Sequence, residues 1–164
     1  MEVIMKRTVP ILILAMLAAA PGIQAQVKGF GHQYMEHKEN VYHRIVHNET
    51  ESYLYDDAGT FQYLGEVGQS GDGKYFPSGE GVSRSVATNP ETGTSEFVYH
   101  LGPWKRGSRH GVFLVKLGDG RCCVERWKWN RLKGVLPDRP SADDVARIEE
   151  AVTRLESLAR ISGR

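Results

Sequence analysis

From residue 41 onward the chain alternates short runs of β-branched and aromatic residues with clusters of Gly, Asp, Asn and Pro, the pattern of strands joined by turns. Residues 41–47 (VYHRIVH) make a first candidate strand. Ser52–Tyr55 (SYLY) and residues 60–64 (TFQYL) flank Asp56-Asp57-Ala58-Gly59, which predicts a β-hairpin. Turn-rich residues 87–94 (ATNPETGT) precede a strand over 96–101. Residues 112–117 (VFLVKL) lead through Gly118-Asp119-Gly120 into a returning strand over 121–129. Successive side chains on a strand point to opposite faces, so Cys123, Glu125, Trp127 and Trp129 are expected on one face and Cys122, Val124, Arg126 and Lys128 on the other. Beyond Pro137-Asp138-Arg139-Pro140 the period changes. Val145, Ile148, Val152, Leu155 and Leu158 or Ala159 recur at helical spacing and predict an amphipathic helix over about 142–161. Ser141 is its N-cap with Asp144 three residues on, Asp143 and Asp144 suit its first turn and Arg160 its last, and Glu150–Arg154 and Glu156–Arg160 are spaced for i,i+4 pairs.

Within the strand region two stretches match at a fixed offset. Residues 100–113 read HLGPWKRGSRHGVF and residues 123–136 read CVERWKWNRLKGVL, so that Trp104 and Trp127, Lys105 and Lys128, and Gly111 and Gly134 each stand 23 residues apart. Gly107 falls opposite Asn130, and both residue types tolerate the left-handed backbone of a tight turn. A fixed period with aromatic and Gly anchors marks a repeat architecture. These residues resemble the MORN repeat, a hairpin unit with an aromatic residue, a Gly-containing turn and a second Gly. In such a unit His100, Gly102, Trp104, Gly107, Gly111, Trp127 and Gly134 hold structural positions, although His100 stands where a Tyr usually opens the unit, Phe113 at a common Gly position, and Glu125 in place of the first Gly of the last copy. Residues 63–81 carry a shortened version, Tyr63-Leu64-Gly65-Glu66 and Tyr75-Phe76-Pro77-Ser78-Gly79, which reads equally as a Gly-rich loop. The resemblance implies a scaffold that binds rather than catalyses.

Ahead of the strands, Lys6 and Arg7 precede an apolar run over 9–20, which Pro21-Gly22 breaks before Ile23-Gln24-Ala25. That order is a secretory signal peptide over residues 1–25 with cleavage near Ala25, and its apolar run is shorter than the roughly 20 residues of a spanning helix. Residues 26–40 read as a loose polar leader, and the strand region over 41–136 and the helix over 141–161 complete the chain. Of 21 basic and 20 acidic residues, removal of Glu2, Lys6 and Arg7 leaves 19 of each, a balance unlike the basic excess of a nucleic-acid binder. The only cysteines, Cys122 and Cys123, are adjacent and cannot staple distant segments; one buried thiol and one on the other face is the expectation.

Chemistry-bearing motifs are few. His32, His37, His43 and His47 cluster early, but on a strand His43 and His47 stand too far apart for one ion, so solvated or locally hydrogen-bonded histidines are expected, with no metal and no cofactor. His110 sits beside a turn Gly without a nucleophile partner in its motif, and the sequence carries no catalytic signature, so no catalytic residue is assigned. Trp104 and Trp127 are expected to stack on neighbouring hairpins. Trp129, with Lys105, Arg106, Lys128 and Arg131 around it, is the candidate binding group, suited to an anionic protein partner, a lipid headgroup or a glycan. The expectation is therefore a mainly β chain with one C-terminal α-helix, a meander of MORN-like hairpins packed with the amphipathic helix. Its expected role is that of a secreted or periplasmic non-enzymatic binding module for an unknown protein partner. The helix stripe covers the sheet or pairs with a second copy through residues 145–159. Sequencing the N-terminus of exported protein is expected to start near Gln26; an intact Met1 in that material contradicts the signal-peptide reading.

Overall fold

The computed structural model describes residues 41–88 and 93–163; the expected signal peptide and polar leader lie outside the described residues. Among the described residues nine strands form one antiparallel sheet: β1 (His43–Val46), β2 (Ser52–Tyr55), β3 (Phe61–Gln69), β4 (Tyr75–Thr88), β5 (Ser95–Lys105), β6 (Ser108–Arg109), β7 (Gly111–Lys116), β8 (Cys122–Lys128) and β9 (Arg131–Val135). Each pairs with its neighbour along the chain, except that two-residue β6 closes only the tip of β5 and β7 continues the ladder along the same strand. One helix among the described residues, α1 (Ala142–Ile161), follows. The fold is thus mainly antiparallel β with a single C-terminal helix, a hairpin meander as the alternation predicts.

The two periods meet in the core. One face of the sheet presents Tyr53, Leu64, Val82 and Tyr99 to Ile148, Val152, Leu155 and Ala159 of α1, so the apolar stripe packs on this chain's own sheet. Both parts of the capping box form: the Asp144 amide donates to Ser141 Oγ at 3.1 Å and the Ser141 amide to Asp144 Oδ2 at 3.2 Å. The charged face departs from the i,i+4 expectation. Arg154 pairs with Glu51, and Glu156 accepts from the Tyr99 hydroxyl, so contacts to the sheet replace pairing with Glu150 and Arg160. Helix ion pairs in water are worth a few tenths of a kcal/mol, too little to resist such partners.

The other face gathers Leu54, Phe61, Tyr63, Trp104, Phe113 and Trp127, with Trp104 edge-on to Phe61, Tyr63 and Phe113. Cys123 joins this face and Cys122 the helix side, and both thiols are free. Residues 63–81 lie in the long β3–β4 hairpin, paired from Phe61↔Ser85 to Gln69↔Tyr75 with a register shift between Gly65 and Val67, which removes the Gly-rich-loop alternative. In this ladder Gly65, Gly81 and Gly102 lie side by side across three strands. The row leaves room for aromatic rings to lie over the sheet: a Cβ at Gly81 would stand 2.2 Å from the Tyr63 hydroxyl oxygen, and one at Gly102 2.8 Å from the Phe113 ring.

The paired glycines of the 23-residue repeat are not equivalent. Gly111 has φ +131° and a Cβ there would meet the Pro103 ring at 2.7 Å, whereas Gly134 has open space around it, so its expected structural role is corrected. Gly102→Val and Gly111→Val are expected to cost about 1–3 kcal/mol through overpacking, and Gly134→Val well under that. Thermal melts of the three variants check the ranking, and equal losses at Gly111 and Gly134 contradict it.

Candidate binding surface

Two hairpin turns define one end of the sheet. Between β5 and β6, Arg106 and Gly107 have φ of +49° and +78°; between β8 and β9, Trp129 and Asn130 have φ of +51° and +59°. Two consecutive positive φ values make a type I′ turn, whose twist matches that of the flanking strands. The Gly107–Asn130 correspondence therefore holds in the backbone, and it extends to Arg106 and Trp129, two non-Gly residues held in a left-handed region that costs about 1–2 kcal/mol each. Asn130 fastens the turns together. Its Oδ1 accepts from the Arg109 amide at 2.7 Å, its own amide donates to the Arg109 carbonyl at 3.1 Å, and its Nδ2 reaches Ser108 Oγ at 3.4 Å. Gly107 donates its amide to the Pro77 carbonyl at 2.8 Å and ties the first turn to β4.

Beneath the turns lies a buried polar cluster. His100 (1% exposed), Glu125 (2%) and Arg109 (6%) converge from β5, β8 and β6. Arg109 donates through Nη1 to His100 Nε2 at 3.1 Å, and its guanidinium lies over the Trp127 ring at 4.0 Å. Trp127 Nε1 donates to Glu125 Oε2 at 2.6 Å, and the same oxygen stands 3.6 Å from His100 Nε2. A guanidinium has only donors, so His100 accepts as a neutral ring. Burial, and then the Arg109 charge, push the His100 pKa down to about 4 against the opposing pull of Glu125. The cluster is a foundation for the turns: Arg109 anchors its side chain in the core while its backbone grips Asn130.

Above this foundation the outer surface is basic and aromatic. Lys105, Arg106, Lys128 and Arg131 are exposed, and Trp129 is 46% exposed with Lys105 Nζ 5.4 Å from its ring centroid and the His110 ring 4.6 Å away. The structure brings all five sequence-predicted binding residues to the two turns. It corrects one placement: β8 ends at Lys128, so Trp129 turns out into solvent instead of sharing the face of Cys123, Glu125 and Trp127. It also adds residues that sequence reasoning missed. Arg126 and Lys133 are exposed beside the turns, and Val112, in register with Arg126, is 47% exposed. Because α1 lies mainly over β3, β4, β5 and β7, the helix side of β8 beyond Cys122 stays open. None of Lys105, Arg106, Arg126, Lys128, Arg131 and Lys133 makes an ion pair among the described residues.

The available signal was local charge. Residues 105–133 hold nine Lys or Arg against Asp119 and Glu125. Asp119 pairs with Arg121 at 2.6 Å and Glu125 is buried, so neither offsets the surface cations. Arg109 as an internal group was not legible, since its burial depends on the short β6 and on partners from two other strands. Among the early histidines, His43 pairs with Asp57 at 2.6 Å and stacks on Tyr55 at the far edge of the sheet, away from the turns. Comparison with protein-family models, curated proteins and solved structures returns no match to this chain.

The buried histidine sets a pH dependence. Between about pH 6.5, where an unfolded His takes up its proton, and about pH 4, where folded His100 does, the unfolded state binds the extra proton. Stability present above pH 6.5 is lost as the pH falls, by up to about 3 kcal/mol at pH 4. Urea unfolding at pH 7.5, 5 and 4 is expected to show this loss, with a flatter profile for His100→Gln. Parallel profiles for the parent and the variant contradict it.

Proposed function

We propose that this protein is an exported, non-enzymatic binding module built on MORN-like repeats, and that its paired hairpin turns contact an anionic protein partner in the periplasm or outside the cell. The observation that carries the reading is the set of six exposed cations near Trp129, without an ion pair among the described residues, on a braced end of the sheet. Aromatic and Arg side chains dominate protein interfaces energetically, and same-sign charge steers an oppositely charged partner. Support for the repeat reading is structural as well as sequential. Trp104 and Trp127 are both buried on one face, and the turns that follow them share a left-handed pair of residues at the same 23-residue offset. Export rests on the N-terminal sequence pattern alone.

A second reading takes Trp129 and Lys105 as a site for a lipid headgroup or a glycan, favoured by the exposed indole beside a cation. A photo-crosslinking residue at position 129 tests the contact surface in the native compartment. Cross-links to a defined partner are expected from position 129 and not from position 46 on the opposite edge strand, and replacing Lys128 and Arg131 by Glu is expected to abolish them. Equal labelling from both positions, or none from position 129, contradicts the reading; retention on anionic liposomes or a glycan array without protein cross-links selects the second.

A further inference from the structure

The end of the sheet opposite the basic turns carries a cleft of about 350 Å³ between α1 and the strands β5 and β7. Its walls include Phe97, Tyr99 and Val152, and its carboxylates are Glu96, Glu149 and Glu156. Lys116 answers Glu149 at 2.7 Å, and Arg84 lies over the Phe97 ring at 4.3 Å. Glu96 and Glu156 make no ion pair among the described residues, and Glu156 is held in place by the Tyr99 hydroxyl. The cleft therefore sets Phe97, Tyr99 and Val152 among three carboxylates, with Lys116 and Arg84 as its cations, and is negative on balance. The basic turns offer the converse, a half-exposed indole between cations that lack a carboxylate.

The charge distribution along the chain says where a complement is available. Residues 105–133 carry nine basic and two acidic residues, while residues 41–104 carry nine acidic and three basic ones. The cations concentrate at the two turns although the chain's charges nearly cancel, the condition under which a basic region of one copy attracts an acidic region of another. The turns and the cleft cannot meet within one molecule. Glu96 stands near the start of β5 and Lys105 at its end, nine residues apart on one extended strand, which is about 30 Å at about 3.3 Å per residue.

Resting on the reading of the turns as a contact surface, we propose that they dock a second copy of this chain head to tail, with Trp129 of one copy seated in the α1–β5–β7 cleft of the next. Lys128 and Arg131 then face Glu96 and Glu156, and the indole lies against Phe97, Tyr99 and Val152. The contact is heterologous: each copy keeps one free turn surface and one free cleft, so the assembly grows with concentration instead of stopping at a dimer. A two-fold dimer through the turns is opposed by their like charge.

Sedimentation velocity on the protein at about 20 and 300 mM NaCl tests this, because screening over a few ångströms more than halves exposed charge attraction. At low salt the average mass is expected to rise with protein concentration, and at high salt to return to that of the monomer. The turn variant Lys128→Glu/Arg131→Glu and the cleft variant Glu96→Lys/Glu156→Lys are each expected to stay monomeric, with the parent's circular dichroism and melting temperature as the check on folding. Mixed together, they are expected to associate again, since one variant keeps an intact cleft, the other keeps intact turns, and the reversed charges of the altered turns and altered cleft are themselves opposite. A parent protein that is monomeric at low salt, or folded variants whose mixture stays monomeric, overturns the proposal. Foreign-protein cross-links from position 129 persist in that case if the broader reading holds, and their absence refutes both.

Discussion

Arg109 is buried, and a guanidinium keeps its charge at every pH a protein meets, so its environment had to be built around it. The fold meets that requirement with three partners from two strands: the His100 ring accepts its hydrogen bond, the Trp127 face stacks against it, and Glu125 supplies the neighbouring negative charge through a carboxylate that Trp127 also holds. Taking one ion from such a group leaves another buried without compensation, which is why these side chains act as a unit. The consequence reaches the surface through two backbone atoms. The amide and carbonyl of Arg109 bind Asn130, so the buried charge network fixes the relative position of the two turns that carry the exposed cations.

That coupling explains how a small β-sheet presents a rigid basic end. Lys, Arg and Trp on independent hairpin tips would lose rotamer and backbone freedom on binding any partner, and that loss reduces affinity. Here the left-handed residues Arg106, Gly107, Trp129 and Asn130 are set before a partner arrives. The glycine row at Gly65, Gly81 and Gly102 serves the same end from inside, since it lets Tyr63 and Phe113 lie flat against the sheet and close the aromatic face around Trp104. Meanwhile α1 covers the strands that lack this basic character and leaves the open part of β8 to the cations.

Local signals were legible wherever a single periodicity or turn rule governs the outcome. The helix over 142–161, its capping box, the first hairpin, and the opposite orientations of Cys122 and Cys123 all follow from nearest-neighbour geometry. Repeat spacing carried the matched turns, because a type I′ turn demands the same two backbone states wherever it occurs. It failed at Gly134, because the space around a glycine belongs to whatever the rest of the chain packs there, and at position 134 nothing stands against it. Trp129 was misplaced for a related reason: alternation extends a strand until something ends it, and the end is set by pairing with β9.

The sequence by itself determined the mainly β class, the first hairpin and the C-terminal helix with its apolar stripe, since these depend on residue order and on dihedral preferences that act over a few positions. It also placed Trp129 among its cations, because residues that flank two short turns cannot be carried far from them. Only the tertiary structure decided what each polar group is for. Glu125 and Arg131 are both charges near the same turns, yet one lies in the core beneath Trp127 and the other stands in solvent. Arg109 and Lys105 differ in the same way across a single hairpin. The difference is desolvation, which is a property of the packed surroundings: a charge is stabilised inside only when partners from distant strands arrive at hydrogen-bonding distance, and no stretch of sequence contains all of them at once.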